Sequence, residues 1–144
     1  MAVKIKDSSF IKYQRAMQTI NSQKVIVGLF ASAGDEVLTK ATVNEFGTRN
    51  IPERSFIRST YNKNYKKVAG RFIKIAQSIS RGNYAIKNKM KLIGLEQEKA
   101  IKDTITNLRT PQNAPSTVAK KGSSNPLVDT GEMRSKISSA LRNK

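Results

Sequence analysis

The chain has no cysteine, no histidine and no tryptophan. Without thiols there is no disulfide framework and no cysteine nucleophile. Without imidazoles there is no histidine general base, and with both missing no Cys/His zinc site can be built. Acid is scarce as well: 10 Asp and Glu stand against 27 Lys and Arg, a formal net charge of +17 over 144 residues. No apolar run approaches the ~18 residues that a membrane-spanning helix needs. Met1-Ala-Val-Lys4 lacks the apolar stretch of a secretory signal. These absences predict a soluble protein made in a cytoplasm, with no cofactor, no metal and little equipment for catalysis.

What is present suits one globular domain, residues 1–144. Hydrophobic residues make up 38% of the chain, enough to form a packed core rather than a disordered polyelectrolyte. The positive charge is uneven. Residues 51–100 carry 12 basic and 3 acidic side chains, and no acid falls between Glu53 and Glu96. Such a field attracts polyanions, whether nucleic acid, acidic protein or anionic lipid, and it is equally compatible with a merely solvated basic face.

Periodicity predicts the elements. Residues 8–20 read as a short amphipathic helix with Asp7 or Ser8 as N-cap, broken by Asn21-Ser22. Residues 24–30, rich in β-branched side chains, read as a buried strand. Residues 31–34 read as a loop. A helix capped by Asp35 follows to Phe46 and is ended by Gly47. Pro52 holds Ile51 extended within the 47–56 arm. Ile57, Tyr61, Tyr65, Val68, Phe72, Ile75, Ala76 and Ile79 then share an arc of about 100°, the strongest periodic signal in the chain. Lys63, Lys66, Lys67, Arg71 and Lys74 fall on the opposite side, a candidate polyanion-facing row. Tyr61 and Tyr65 are candidate stacking platforms, but their place on the apolar arc assigns them to the core. A second helix spans about 85–108, with Leu92 and Leu95 off its main face and Gly94 weakening its middle, which implies a second contact face or a bend. Residues 110–128 hold three of the four prolines and read as a flexible arm with a helical turn at 116–120. Residues 137–141 could be helix or edge strand. The balance predicts an α+β fold, a small sheet packed by long amphipathic helices.

Leu127-Val-Asp-Thr-Gly131 has the look of an aspartic-protease turn. That chemistry needs two such carboxylates sharing a proton. A capping box, with Asp129 as N-cap and Glu132 three residues on, explains the same residues by local physics. No helix-turn-helix, zinc-finger or RNA-recognition signature is present. Non-specific phosphate binding by the basic row is the alternative functional reading, and it needs no such signature.

Two stretches resemble a known family. The first is Asn44-Glu-Phe-Gly-Thr-Arg-Asn-Ile-Pro-Glu-Arg-Ser-Phe-Ile-Arg-Ser-Thr60. The second is Pro115-Ser-Thr-Val-Ala-Lys-Lys-Gly-Ser-Ser-Asn-Pro-Leu-Val-Asp-Thr-Gly-Glu-Met-Arg134, with Ile137 beyond. Their order and spacing, with a long helical insert between, resemble tailed-bacteriophage tail-completion and head-to-tail joining proteins, also called neck or minor tail proteins. The resemblance implies a ring-forming α+β subunit, commonly a hexamer, that completes the tail top or joins it to the head connector. Its partners would be copies of itself, a head-side connector or stopper protein and the tail tube protein, with genomic DNA passing through the channel. It implies a place in the virion neck after assembly in the host cytoplasm, and action by assembly rather than catalysis. On this view Glu45, Arg54, Phe56 and Arg58 belong to one inter-subunit or connector contact. The 122–134 segment forms another, with Asp129 holding its turn and Arg134 a partner for a carboxylate. The basic row would face the channel or an acidic ring.

Overall fold

A computed structural model describes residues 8–144. In chain order it comprises α1 (Ser8–Ser22), β1 (Gln23–Gly28), a 3-10 turn (Ala31–Ala33), α2 (Asp35–Phe46), α3 (Ile57–Ser80), α4 (Ile86–Asn107), α5 (Pro115–Lys121), α6 (Glu132–Ser135) and β2 (Ser138–Asn143). The fold is mostly helical with one small antiparallel sheet, an α+β arrangement. β1 pairs with β2 from Gln23↔Asn143 to Gly28↔Ser138, so the C-terminal strand returns to the first one. A two-stranded ribbon is marginal on its own. Here α4 packs across both strands.

Gly94 lies at that crossing. A Cβ there would stand 3.0 Å from Ser139 Cβ and 3.2 Å from Val25 Cγ1. The glycine expected to weaken or bend α4 is a point of close approach between sheet and helix. Leu92 and Leu95, expected to mark a second contact face, are both exposed.

α3 and α4 pack together as a helical hairpin, and α1 lies against both. One cluster joins Ala16, Ile75, Ile79, Ile86, Met90 and Ile93, with Val25 and Leu141 packed on it. A second joins Ala41, Phe56, Ile101, Ile105, Leu127 and Ile137. α4 contributes to both, so it is the spine of the molecule.

Several local expectations need correction. α1 runs through Asn21 and Ser22 directly into β1, so the pair does not break it; Ser8 is its first residue, and Asp7 lies outside the described residues. β1 is half-buried rather than buried, because the sheet is only two strands wide. Residues 31–33 form a 3-10 turn, and Gly34, not Asp35, precedes α2 as its cap residue. The arc on α3 is displaced. Tyr61 and Tyr65 are 63% and 52% exposed, and the buried side of this half carries Thr60 instead. α1 meets α3 through Val68, Phe72, Ile75 and Ile79, towards its C-terminal end. The N-terminal half meets α4 through polar contacts: Thr60 Oγ1 to Thr104 Oγ1 at 2.6 Å and Asn64 Nδ2 to Gln97 Oε1 at 3.3 Å.

Among the described residues, no helix is long and apolar enough to cross a membrane, and no group of three His, Cys, Asp or Glu could hold a metal ion.

Candidate functional site

Gly47 ends α2 with φ 72°, and its N–H reaches Val43 O. A Cβ at that position would lie 2.9 Å from Glu53 N, so only glycine lets the 47–54 turn fold back on the helix end. Thr48 Oγ1 then accepts the N–H groups of Asn50 and Ile51, which closes the turn. The chain passes Pro52 and delivers Arg54, Phe56 and Arg58 beside α2.

Glu45, one residue before the end of α2, is the polar centre of this region. It is buried, 4% exposed. Its Oε2 accepts the backbone N–H groups of Phe56 (2.7 Å) and Ile57 (2.9 Å). Its Oε1 accepts from Arg58 N (2.9 Å), Arg58 Nε (3.1 Å) and Ser55 Oγ (3.0 Å). These backbone groups are the otherwise unpaired donors at the start of α3, so a carboxylate from a different helix serves as its cap. Burial pushes the carboxyl pKa up. The donors of Ile57, Arg58 and Phe56, with the Arg58 guanidinium, more than offset this and leave it below the ordinary carboxylate range.

Arg58 completes the cluster. Nη2 donates to Glu45 O and to Glu53 Oε1, and the guanidinium lies 4.6 Å from the centre of the Phe46 ring. Its side chain remains about half exposed.

Arg54 is buried, 4% exposed, and ties the first stretch to the chain just ahead of the second. Its Nε donates to Pro111 O (2.8 Å), Nη2 to Gln112 O (2.9 Å) and Nη1 to Asn44 Oδ1 (3.2 Å). Burial lowers its pKa. Phe56 is fully buried and shares a core with Leu127 and Ile137. Glu45, Arg54 and Phe56 were expected at a contact surface. The structure places them inside the chain, where they shape the surface without presenting it, because each fills or neutralises an interior site. Arg58 is the member of that set that reaches solvent.

The second stretch folds around an asparagine that the sequence pattern did not single out. Asn125 Oδ1 accepts Leu127 N and Val128 N, and its Nδ2 donates to Thr106 O, tying the turn to the end of α4. The Asn125-Pro126 dipeptide was the available signal. The helical turn expected at 116–120 is α5, and none of its residues is buried.

Asp129 is not an N-cap. α6 begins at Glu132 after Gly131, which has φ 79°, and Glu132 N bonds to Thr130 Oγ1 instead. The αL glycine turns the chain before Asp129 can reach the helix start. Asp129 and Glu132 lie instead in the field of Lys40. That ammonium is held above the ordinary lysine range by its hydrogen bond to Glu36 and that carboxylate's charge, with Glu132 and Asp129 adding to it. Arg134 is exposed and bonds through Nε to Thr106 Oγ1 at 2.9 Å, and it pairs with no carboxylate among the described residues.

Lys63, Lys66, Lys67, Arg71 and Lys74 are all exposed. Arg71 pairs with Glu96 at 2.8 Å, and the other four make no ion pair among the described residues.

The two stretches thus build one region. Its surface holds a groove of about 580 Å³, lined from α2, the 47–54 turn, α5 and the 126–133 segment. No family model, curated protein or solved structure matches the chain.

Proposed function

We propose that the protein is a structural component of a tailed-phage particle, a ring-forming neck subunit that completes the tail top or joins it to the head connector. One observation supports this reading above the others. The two stretches that carry the resemblance are separated by most of the α3–α4 hairpin, yet they share one apolar core through Phe56, Leu127 and Ile137, and Arg54 of the first holds the Pro111 and Gln112 carbonyls just ahead of the second. That is the expected outcome if the stretches form one working surface and not two unrelated coincidences of sequence. The exposed aromatic and aliphatic side chains, among them Phe10, Phe46, Tyr61, Tyr65 and Leu92, give a monomer apolar surface to bury in an assembly.

The function follows from assembly. Self-association closes a ring, commonly of six copies. The head-side connector or stopper protein and the tail tube protein meet its two sides, with genomic DNA in the channel. The unpaired lysines of α3 meet DNA phosphates or an acidic neighbour by long-range attraction.

The test is negative-stain microscopy of a lysate in which this gene carries a stop codon. Filled heads lying apart from tails are the expected result. Overlong tails would assign a terminator, and unattached tails of normal length a joining factor. Intact virions in normal yield would overturn the reading.

The exposure of Tyr61 and Tyr65 and the four unpaired lysines favour a second reading, non-specific nucleic-acid binding by the free protein. It predicts duplex-DNA affinity that falls by orders of magnitude as salt rises.

A further inference from the structure

Each long helix carries a glycine, and only one of the two has a reason inside the chain. Gly94 lets α4 approach Ser139 and Val25. Gly70, in the middle of α3, has no such neighbour: a Cβ there would meet nothing within 4 Å. Glycine is the poorest helix former after proline, so an alanine or leucine would serve the isolated fold better. A glycine on an open helix surface suits close approach of a ligand to the backbone.

The surroundings of Gly70 indicate which ligand. Of the four residues one turn away from it, three are lysines, Lys66, Lys67 and Lys74, and the fourth is Ile73. With Lys63, these lysines lie within about 60° of Gly70 around the axis of α3, over a length of about 16 Å. All four lysines are exposed, and none makes an ion pair among the described residues. Lys63 stands one turn from both Lys66 and Lys67, a spacing at which like charges repel along a helix. α3 contains no acid to relieve them. The bare backbone and the uncompensated charge both weaken the isolated helix, and both become favourable when an anion lies along it.

A nucleic-acid backbone fits this surface better than an acidic protein. Lysine is depleted at protein–protein interfaces, where arginine and aromatic rings supply the contacts. A line of ammonium point charges is what sequence-independent phosphate neutralisation uses. Tyr61 and Tyr65 lie about 180° and 140° around α3 from Gly70, so they cannot stack on bases whose phosphates sit there. Without stacking, the denser charge of a duplex is favoured over a single strand. We propose that the open side of α3 tracks the backbone of duplex DNA, with Lys63, Lys66, Lys67 and Lys74 on the phosphates and the strand passing closest to the helix over Gly70. The proposal rests on the second reading above, nucleic-acid binding by the free protein, and deepens it by naming the surface and excluding the tyrosines.

The test is fluorescence titration of the full chain with a short labelled duplex of mixed sequence at several salt concentrations. Four phosphates give a log–log salt slope of about −3.6, a loss of roughly 100-fold between about 50 and 200 mM salt. Each of Lys63→Ala, Lys66→Ala, Lys67→Ala and Lys74→Ala should make the slope shallower by about 0.9. Gly70→Leu should keep or raise the thermal midpoint, because leucine favours helix and the position is open. The same variant should bind the duplex roughly tenfold more weakly at fixed salt, a loss of about 1.4 kcal/mol. No duplex binding at about 50 mM salt, or a slope indifferent to the lysines, would overturn the reading and the proposal together. Wild-type affinity in Gly70→Leu, or a fall in its midpoint, would overturn the seat over Gly70 and leave the reading standing. Tighter binding of one separated strand would overturn the assignment to duplex. Polyglutamate displacing the labelled duplex as well as unlabelled DNA does, charge for charge, would mark a surface for acidic protein and overturn the assignment to nucleic acid.

Discussion

The two ends of α4 are held by different kinds of interaction. At its N-terminal end, Ile86, Met90 and Ile93 pack against Ile75, Ile79 and Ala16, a core of aliphatic side chains at helical spacing. At its C-terminal end, Ile101 and Ile105 meet Phe56, Leu127 and Ile137, which come from irregular chain. That irregular chain is positioned by polar groups: buried Glu45 at the start of α3, buried Arg54 on the 111–112 carbonyls, and half-buried Asn125 on the end of α4. The first end needs only volume and pattern. The second needs a small number of donors and acceptors in fixed places, and it is there that the groove forms.

The difference can be broken most severely at Phe56. Phe56→Ala removes a fully buried ring and should cost about 4 kcal/mol in urea unfolding. In the aliphatic end, Ile79→Val should cost only about 1 kcal/mol, since it deletes one methylene from a regular core.

Glu45→Gln keeps the shape and removes the charge that several donors address. It should cost about 3 kcal/mol, the order seen when one partner of a buried pair is lost. The same variant sharpens the contrast through pH. The folded-state pKa of Glu45 is lowered, so its stabilisation is complete above the ordinary carboxylate range and is lost as pH falls through the lowered value. The wild type should therefore show a steeper acid loss of stability than Glu45→Gln. Equal slopes would remove Glu45 from its role as the cap of α3.

The helices offer a smaller pair of effects. A methyl group added at Gly70 would meet nothing within 4 Å, so Gly70→Ala should stabilise α3 by up to about 1 kcal/mol. Gly94→Ala carries the same helix preference, but its Cβ meets Ser139 and Val25 on paired strands that cannot move singly. It should cost about 1 kcal/mol net. The two glycines then move thermal midpoints in opposite directions. Tyr61→Ala is the smallest effect: an exposed ring should change monomer stability by less than about 0.5 kcal/mol, whereas the arc predicted from sequence would make it a core loss.

Legibility followed the same division. The long helices were readable because amphipathic periodicity is local: the spans 57–79 and about 85–108 differ from α3 and α4 by one residue at an end. The strand at 24–30 was found two residues off at its end and one at its start, and its partner stayed undecided because pairing across the whole chain leaves no local mark. The tyrosines were misplaced because an apolar arc says which side of a helix could be buried. It does not say how far a neighbouring helix reaches. Asp129 was misplaced because a capping box and a glycine turn share the same residues, and the φ of Gly131 chose between them.

Sequence alone determined the charge, the missing thiol and imidazole chemistry, the two long helices and the α+β balance, since composition and period need no partner to act. Tertiary structure alone decided that Glu45 caps a helix it does not belong to, that Gly94 is a contact rather than a weakness, and that Arg54 is a buried cation in a groove. Each depends on groups far apart in the chain, whose energies are set by desolvation and by donor geometry once the chain has closed around them.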